Sequence, residues 1–202
     1  FKEVLAKYDL KLVGINQHIG SLFMDGKPDV EGVKAILNIA KQFDDLEFVD
    51  LGGGFGIPYE KLNDQPRLDM VELGKQLDEV FEQFVKDYGK EITFKIEPGR
   101  YVSAECGVLL GTVTAVKHNG EDKYIGTDIG FNVLQRPVMY DSHHDIEVYN
   151  DSDNTEDVTV VGNICESGDI LAKHRICPEM HVGDTMAMLD AGAYGYCMAS
   201  NY

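Results

Sequence analysis

The 202-residue sequence predicts an α/β segment followed by an all-β segment. Up to about residue 100, short β-branched runs alternate with stretches whose apolar residues recur at helical spacing. Each of those runs ends in a polar or glycine-rich loop. After about Ser103 the helical spacing stops, and β-rich runs follow one another with turn residues between them. The expected division is therefore 1–103 and 104–202, the first part α/β and the second a β-sandwich or Greek-key β domain.

The elements of the first part can be taken in order. Lys11 to Asn16 reads as a strand ending at Gln17-His18-Ile19-Gly20-Ser21. A helix is expected from Asp29 to Phe43, with Val33, Ile36, Leu37, Ala40 and Phe43 on one face. Glu47 to Leu51 is the next strand, ending in Gly52-Gly53-Gly54-Phe55-Gly56. A second helix runs from Met70 to Tyr88, with Asp69 and Glu72 as a capping-box-like start and Gly89 as its stop. Its buried stripe is Leu73, Leu77, Val80, Phe81, Phe84 and Tyr88. Ile92 to Ile96 is the third strand, ended by Pro98. Strand–loop–helix repetition implies a parallel sheet with helices outside, the grammar of a (β/α) barrel. Three strands do not close a barrel, so the chain reads as a piece of something longer. In the second part the β-rich runs are 108–117, 123–129, 146–149, 158–164, 170–176 and 185–189.

Composition narrows the function. The apolar fraction of 44% suits a globular protein, and a net charge of −17 argues against nucleic acid and anionic membranes, which reward basic patches. No apolar run approaches the length of a bilayer span. Cys106, Cys165, Cys177 and Cys197 form no C-x-x-C pair, so a zinc site of the usual spacing is not expected. Free thiols and no visible signal peptide point to the cytoplasm.

The strand ends carry the chemistry, because that is where ligands bind in α/β folds. Glu97-Pro98-Gly99-Arg100 delivers a carboxylate and a guanidinium three residues apart, with Gly99 open to an unusual backbone angle. Such a pair suits a ligand with a basic nitrogen and an anionic group; it is also what a surface ion pair at a turn would look like. Gly52-Gly53-Gly54 is either a close approach of backbone N–H groups to a phosphate or a tight turn. It is not a P-loop, because no Lys-Ser/Thr follows at the required spacing, and this disfavours a nucleotide-binding domain. His18 could stack on a planar ring or transfer a proton, and Ser21 could donate to a phosphate. Arg136 and Tyr140 could grip a carboxylate. His143-His144 beside Asp141 are poor metal ligands, since adjacent histidines seldom chelate one ion, and no metal is expected. Cys165-Glu166-Ser167-Gly168-Asp169 places a thiol beside a carboxylate in a tight connection. Asp190-Ala191-Gly192-Ala193-Tyr194-Gly195 is either a close-packed corner or a ligand-facing loop.

Taken in order, these motifs resemble the alanine-racemase-like, fold-type III pyridoxal-phosphate decarboxylases, and Glu166 favours the diaminopimelate branch over the ornithine branch. The resemblance implies the C-terminal part of a (β/α)8 TIM-type barrel followed by the β domain, and decarboxylation of meso-diaminopimelate to L-lysine. It implies that pyridoxal 5'-phosphate is held by His18 on the ring face, by Glu97 at the pyridine nitrogen, and by Ser21, Gly52, Gly53, Gly54 and Tyr194 at the phosphate, with Gly99 in the same set. Arg100, Arg136 and Tyr140 would take the substrate's distal carboxylate and Glu166 its distal ammonium. Cys165 would return a proton to carbon, and in the family Cys165 and Glu166 serve the neighbouring subunit, which implies a homodimer with shared sites. The sequence departs from the family pattern at Asn163, where proline is frequent, and at His143, where tyrosine is common. The family's cofactor lysine, in a Tyr-x-x-Lys-Ala context, has no counterpart here, and Lys95 carries no such mark. A related amino acid (carboxynorspermidine, ornithine or a carrier-bound amino acid) as substrate and a non-catalytic homologue are the alternatives. Retention of Cys165, Glu97 and Arg100 argues against the latter.

Overall fold

The computed structural model describes residues 1–202, which divide into two compact units, Phe1–Ile57 with Arg67–Gly99 and Pro58–Pro66 with Arg100–Tyr202. The first unit begins with a short helix, α1 (Lys2–Lys7), that buries no side chain and so has no apolar repeat from which to be foreseen. Strand β1 (Gly14–Asn16), helix α2 (Lys27–Ala40), strand β2 (Phe48–Asp50), helix α3 (Met70–Tyr88) and strand β3 (Thr93–Lys95) follow; a short helix α4 (Gly99–Ser103) then begins at the last residue of this unit, and the rest of it belongs to the second. The three strands form a parallel sheet in the order β1-β2-β3, pairing Gly14 with Phe48 and Phe48 with Thr93.

Both long helices form for the reasons their sequences carry. Lys27-Pro28 opens α2, where a missing N–H costs nothing, and Val33, Ile36, Leu37 and Ala40 are buried beneath it. Asp69 caps α3 by accepting from the Val71 and Glu72 amides at 3.0 and 2.9 Å, and Gly89 ends it in the left-handed region at φ 78°. Leu73, Leu77 and Phe84 are its fully buried residues, while Phe81 stacks on Phe94 at 4.1 Å between ring centroids. Tyr88 ties the unit together: its hydroxyl donates to the Phe43 carbonyl at 2.5 Å and accepts from the Leu46 amide at 3.2 Å.

The second unit is built from β4 (Leu109–Asn119), β5 (Asp122–Thr127), α5 (Arg136–Tyr140), β6 (Ile146–Tyr149), β7 (Thr155–Val161), β8 (Ile170–Pro178) and β9 (Thr185–Met188). Its six strands run in the order β6-β9-β4-β5-β7-β8. Strand β4 belongs to both halves: Leu109–Thr112 pair with β9, and from Val113 onward the partner is β5. A register shift at Val113–Ala115 marks the change of partner, and a bulge of this kind bends a strand. The core lies inside the curl, with Val113, Ile125, Leu134, Ile146, Val160, Leu171, Met186 and Met188 buried together. The end strands come close to one another, since Arg175 on β8 donates to the His144 carbonyl at 3.0 Å, just before β6. One pairing departs from antiparallel hairpin grammar: β5 and β7 are parallel. Helix α5 was not foreseen; at five residues it is shorter than the window over which helical spacing can be read.

Candidate active-site residues

In the first unit the strand ends carry Glu97, His18 and Ser21 on loops, all three exposed. The loops are stitched together by backbone bonds: Glu97 donates its amide to the Gly52 carbonyl at 2.8 Å, and Gln17 to the Asp50 carbonyl at 3.1 Å. The glycine run permits this. A Cβ on Gly53 would stand 2.1 Å from the Glu97 carbonyl oxygen, and one on Gly54 would stand 2.3 Å from that of Gly20. Gly52 and Gly54 also lie in the left-handed region, at φ 73° and 106°. Close approach of neighbouring loops therefore demands these glycines, and the same packing sets where the Glu97 backbone lies. Gly99 differs from expectation: it is not in the left-handed region but opens α4, because the chain after Pro98 turns directly into a helix. Lys95 places its Nζ 3.6 Å from the centre of the Phe48 ring, a cation–π contact.

In the second unit Arg136 is only 3% exposed. Its guanidinium donates to Nε2 of His144 at 2.6 Å and lies 4.4 Å from the centre of the Tyr59 ring. His144 is 1% exposed, and its other nitrogen, Nδ1, faces the Leu189 carbonyl at 2.7 Å. A carbonyl only accepts, so Nδ1 carries the proton and Nε2 is left to accept from Arg136. Burial pushes the imidazole pKa down to about 4; the Leu189 carbonyl opposes that shift and the Arg136 charge adds to it. The imidazole is thus neutral, and burial also lowers the Arg136 pKa. Arg100 donates to the Tyr59 hydroxyl at 2.8 Å and lies over the Tyr194 ring at 4.8 Å. Tyr194, expected among the phosphate contacts, is thus seen beneath an arginine, held at φ 58°. Tyr140 is exposed at the end of α5. His143 lies beside Asp145, at 2.8 Å, and Arg175, at 2.6 Å.

The Cys165–Asp169 connection owes its shape to Asp169, which is 4% exposed and accepts from the amides of Phe131 at 2.6 Å and Ile164 at 2.8 Å. Gly162 is required beside it, since a Cβ there would stand 2.2 Å from the carboxylate. Cys165 and Glu166 are both exposed on this frame. Glu166 accepts from the Gly168 amide at 3.3 Å and from the Tyr202 hydroxyl at 3.2 Å, and these bonds, the amide first, lower its pKa. Asp190 anchors the small-residue corner through Lys61 at 2.6 Å, and Gly192 packs so closely that a Cβ would stand 2.0 Å from the Ser103 carbonyl. The corner is therefore close-packed and also carries Tyr194 outward.

The model of the family described as pyridoxal-dependent decarboxylase, C-terminal sheet domain, matches residues 9–192. The chain belongs to the pyridoxal-dependent decarboxylases. It is 42% identical over 197 residues to a diaminopimelate decarboxylase of Archaeoglobus fulgidus, an alignment covering 94% of this chain and 46% of that protein. The crystal structure of the M. jannaschii diaminopimelate decarboxylase in complex with L-lysine superposes with a TM-score of 0.89 at 32% identity, covering 100% of this chain and 47% of that one. The Helicobacter pylori enzyme complexed with L-lysine gives a TM-score of 0.85 at 32% identity, covering 100% and 51%. The chain spans about half the length of the curated relatives it matches.

Three residues of this decarboxylase chain that organise the candidate groups are absent from the sequence-derived set. Tyr59 follows a glycine loop with no periodicity to flag it, His144 reads from sequence only as half of a histidine pair, and Asp169 reads as the end of a turn.

Proposed function

We propose that this chain is the C-terminal part of a pyridoxal-phosphate-dependent decarboxylase that converts meso-diaminopimelate to L-lysine and carbon dioxide in the cytoplasm, as a homodimer. The observation that carries the substrate reading is Arg136. Its guanidinium meets a neutral imidazole and a phenol ring, and a second guanidinium shares that ring. In a protein of net charge −17, two arginines gathered this way suit an anionic group on the ligand. The three parallel strands with outer helices fit the closing part of a (β/α)8 barrel, with the curled sheet as the second domain.

The residues of the first unit fit the cofactor by chemistry: one edge of a parallel sheet exposes a carboxylate, an imidazole and a hydroxyl beside a glycine loop. Bound pyridoxal phosphate supplies an electron sink for the pair released as carbon dioxide leaves. Glu97 holds a proton at the pyridine nitrogen, His18 covers the ring face, and Ser21 with Gly52, Gly53 and Gly54 holds the phosphate; Gly99 and Tyr194 complete this set. Arg100, Arg136 and Tyr140 hold the distal carboxylate. Glu166, whose lowered pKa keeps it anionic, takes the distal ammonium. Cys165 gives a proton to the carbon that lost carbon dioxide. Both stand exposed on a frame fixed by Asp169, which suits service to a neighbouring subunit's site.

The test is carbon dioxide release by the full-length protein with added cofactor. meso-Diaminopimelate is expected to be turned over far faster than ornithine, which lacks the distal carboxylate; a preference for ornithine would overturn the branch assignment.

A further inference from the structure

We infer that Tyr59 is a positioning residue that sets the spacing of Arg100 and Arg136 for a single carboxylate. The inference rests on the proposed role of those two arginines. Tyr59 touches both guanidiniums: it accepts from Arg100 at its hydroxyl, 2.8 Å away, and carries Arg136 on its ring face at 4.4 Å. It also meets His144 edge-on, with ring centroids 5.2 Å apart and planes at 74°, and His144 is the acceptor that fixes Arg136. Two guanidiniums near each other repel, and the Arg100 charge disfavours protonated Arg136. A phenol answers both demands at once, since its ring face attracts one cation and its oxygen accepts from the other.

The ring is held for this task. Tyr59 is 4% exposed, and the segment that bears it, Pro58–Pro66, is tied down within the second unit at two points. Lys61 binds Asp190 at 2.6 Å and Glu105 at 2.8 Å, and the Leu62 amide donates to Asp145 at 3.0 Å. The arginines therefore meet a pre-set aromatic wall rather than a mobile side chain, so little ordering cost falls on ligand binding. Specificity follows from the same geometry. A ligand whose far end is a carboxylate engages both arginines, and one whose far end is only an amine gains nothing from them.

The test uses the full-length holoenzyme with Tyr59→Phe and Tyr59→Leu, and two inhibitors that differ only at the far end: L-lysine, which keeps the carboxylate, and 1,5-diaminopentane, which lacks it. Tyr59→Phe loses the acceptor but keeps the face, so the Ki of L-lysine and the KM of meso-diaminopimelate should rise roughly tenfold, the worth of one hydrogen bond to a charged group. The Ki of 1,5-diaminopentane should not move, and kcat should fall less than KM rises. Tyr59→Leu, which loses the face as well, should weaken L-lysine further. Unchanged L-lysine inhibition in Tyr59→Phe overturns the inference, as does equal weakening of both inhibitors, which signals general damage. A wild-type enzyme that fails to prefer L-lysine over 1,5-diaminopentane refutes instead the carboxylate role of the arginines, so the two failures are told apart.

Discussion

His144 should make the second unit lose stability as the pH falls from 7 to 4, and a variant that cannot titrate should lack that loss. In the folded protein the imidazole has a pKa of about 4, against 6.5 for the unperturbed group. Between those values the unfolded chain binds a proton that the native chain refuses, so lowering the pH favours unfolding. At about 1.4 kcal/mol per pKa unit, the one residue accounts for a loss of about 3 kcal/mol, nearly complete by pH 4 and absent above pH 7, where the full stability is present. The geometry explains the refusal: Nδ1–H already faces the Leu189 carbonyl, and a proton on Nε2 would point at the Arg136 guanidinium, which offers no acceptor. A loss of 3 kcal/mol is a large part of the about 5–15 kcal/mol that holds a typical domain folded.

The assay compares wild type with His144→Gln in urea at pH 7, 6, 5 and 4.5, alongside NMR titration of the imidazole C2 proton. Glutamine can still accept from Arg136 but takes up no proton. At pH 7 the variant should be the less stable of the two, by about 1–3 kcal/mol for the lost bond to Leu189 and imperfect packing. The gap should narrow as the pH drops, because carboxylates titrate alike in both proteins and cancel in the comparison. Parallel pH profiles, or a His144 signal that titrates at 6 or above in the folded protein, would refute the reasoning.

Substitutions at two further positions probe the loops. Gly53→Ala places a methyl 2.1 Å from the Glu97 carbonyl oxygen, so the Glu97 loop must move; cofactor affinity, followed by absorbance titration, should fall at least tenfold while the far-ultraviolet circular dichroism stays unchanged. Asp169→Ala leaves the half-buried Phe131 and Ile164 amides without their acceptor, at about 1 kcal/mol each, and should lower the thermal midpoint and alter the alkylation rate of Cys165; Asp169→Asn, which keeps one oxygen, should show about half the loss.

How much of this was legible in the sequence depends on the length scale of each signal. Helix α3 was readable end to end, because Asp69, six apolar residues at helical spacing and Gly89 all agree over 19 residues. The strands were located but read too long in the first unit: 11–16 became Gly14–Asn16, and 92–96 became Thr93–Lys95, since apolar character continues past the last ladder bond. Helices α1, α4 and α5 escaped because they are at most six residues long. Among the candidate site residues the charged and reactive groups were visible by type, as Glu97, Arg100, Arg136, Cys165 and Glu166. Their supports were not, since Tyr59 meets Arg136 from far away in the chain, His144 faces a carbonyl 45 residues on, and Asp169 accepts from an amide 38 residues back, which no local pattern encodes.

The supports also explain how an acidic protein keeps a buried arginine charged without a carboxylate partner among its contacts to His144 and Tyr59. Pairing Arg136 with a carboxylate would offset its burial but cancel the net charge at that point, the charge on which the proposed carboxylate role depends. A neutral imidazole and a phenol ring offset part of that cost and leave the net charge in place. The arrangement holds only while His144 stays neutral, and burial, by depressing its pKa, keeps it so. The same reasoning accounts for the carboxylates nearby: Asp190 is engaged by Lys61, and Asp145 accepts from the Leu62 amide and lies against His143. Both of these acids are engaged by groups other than Arg136.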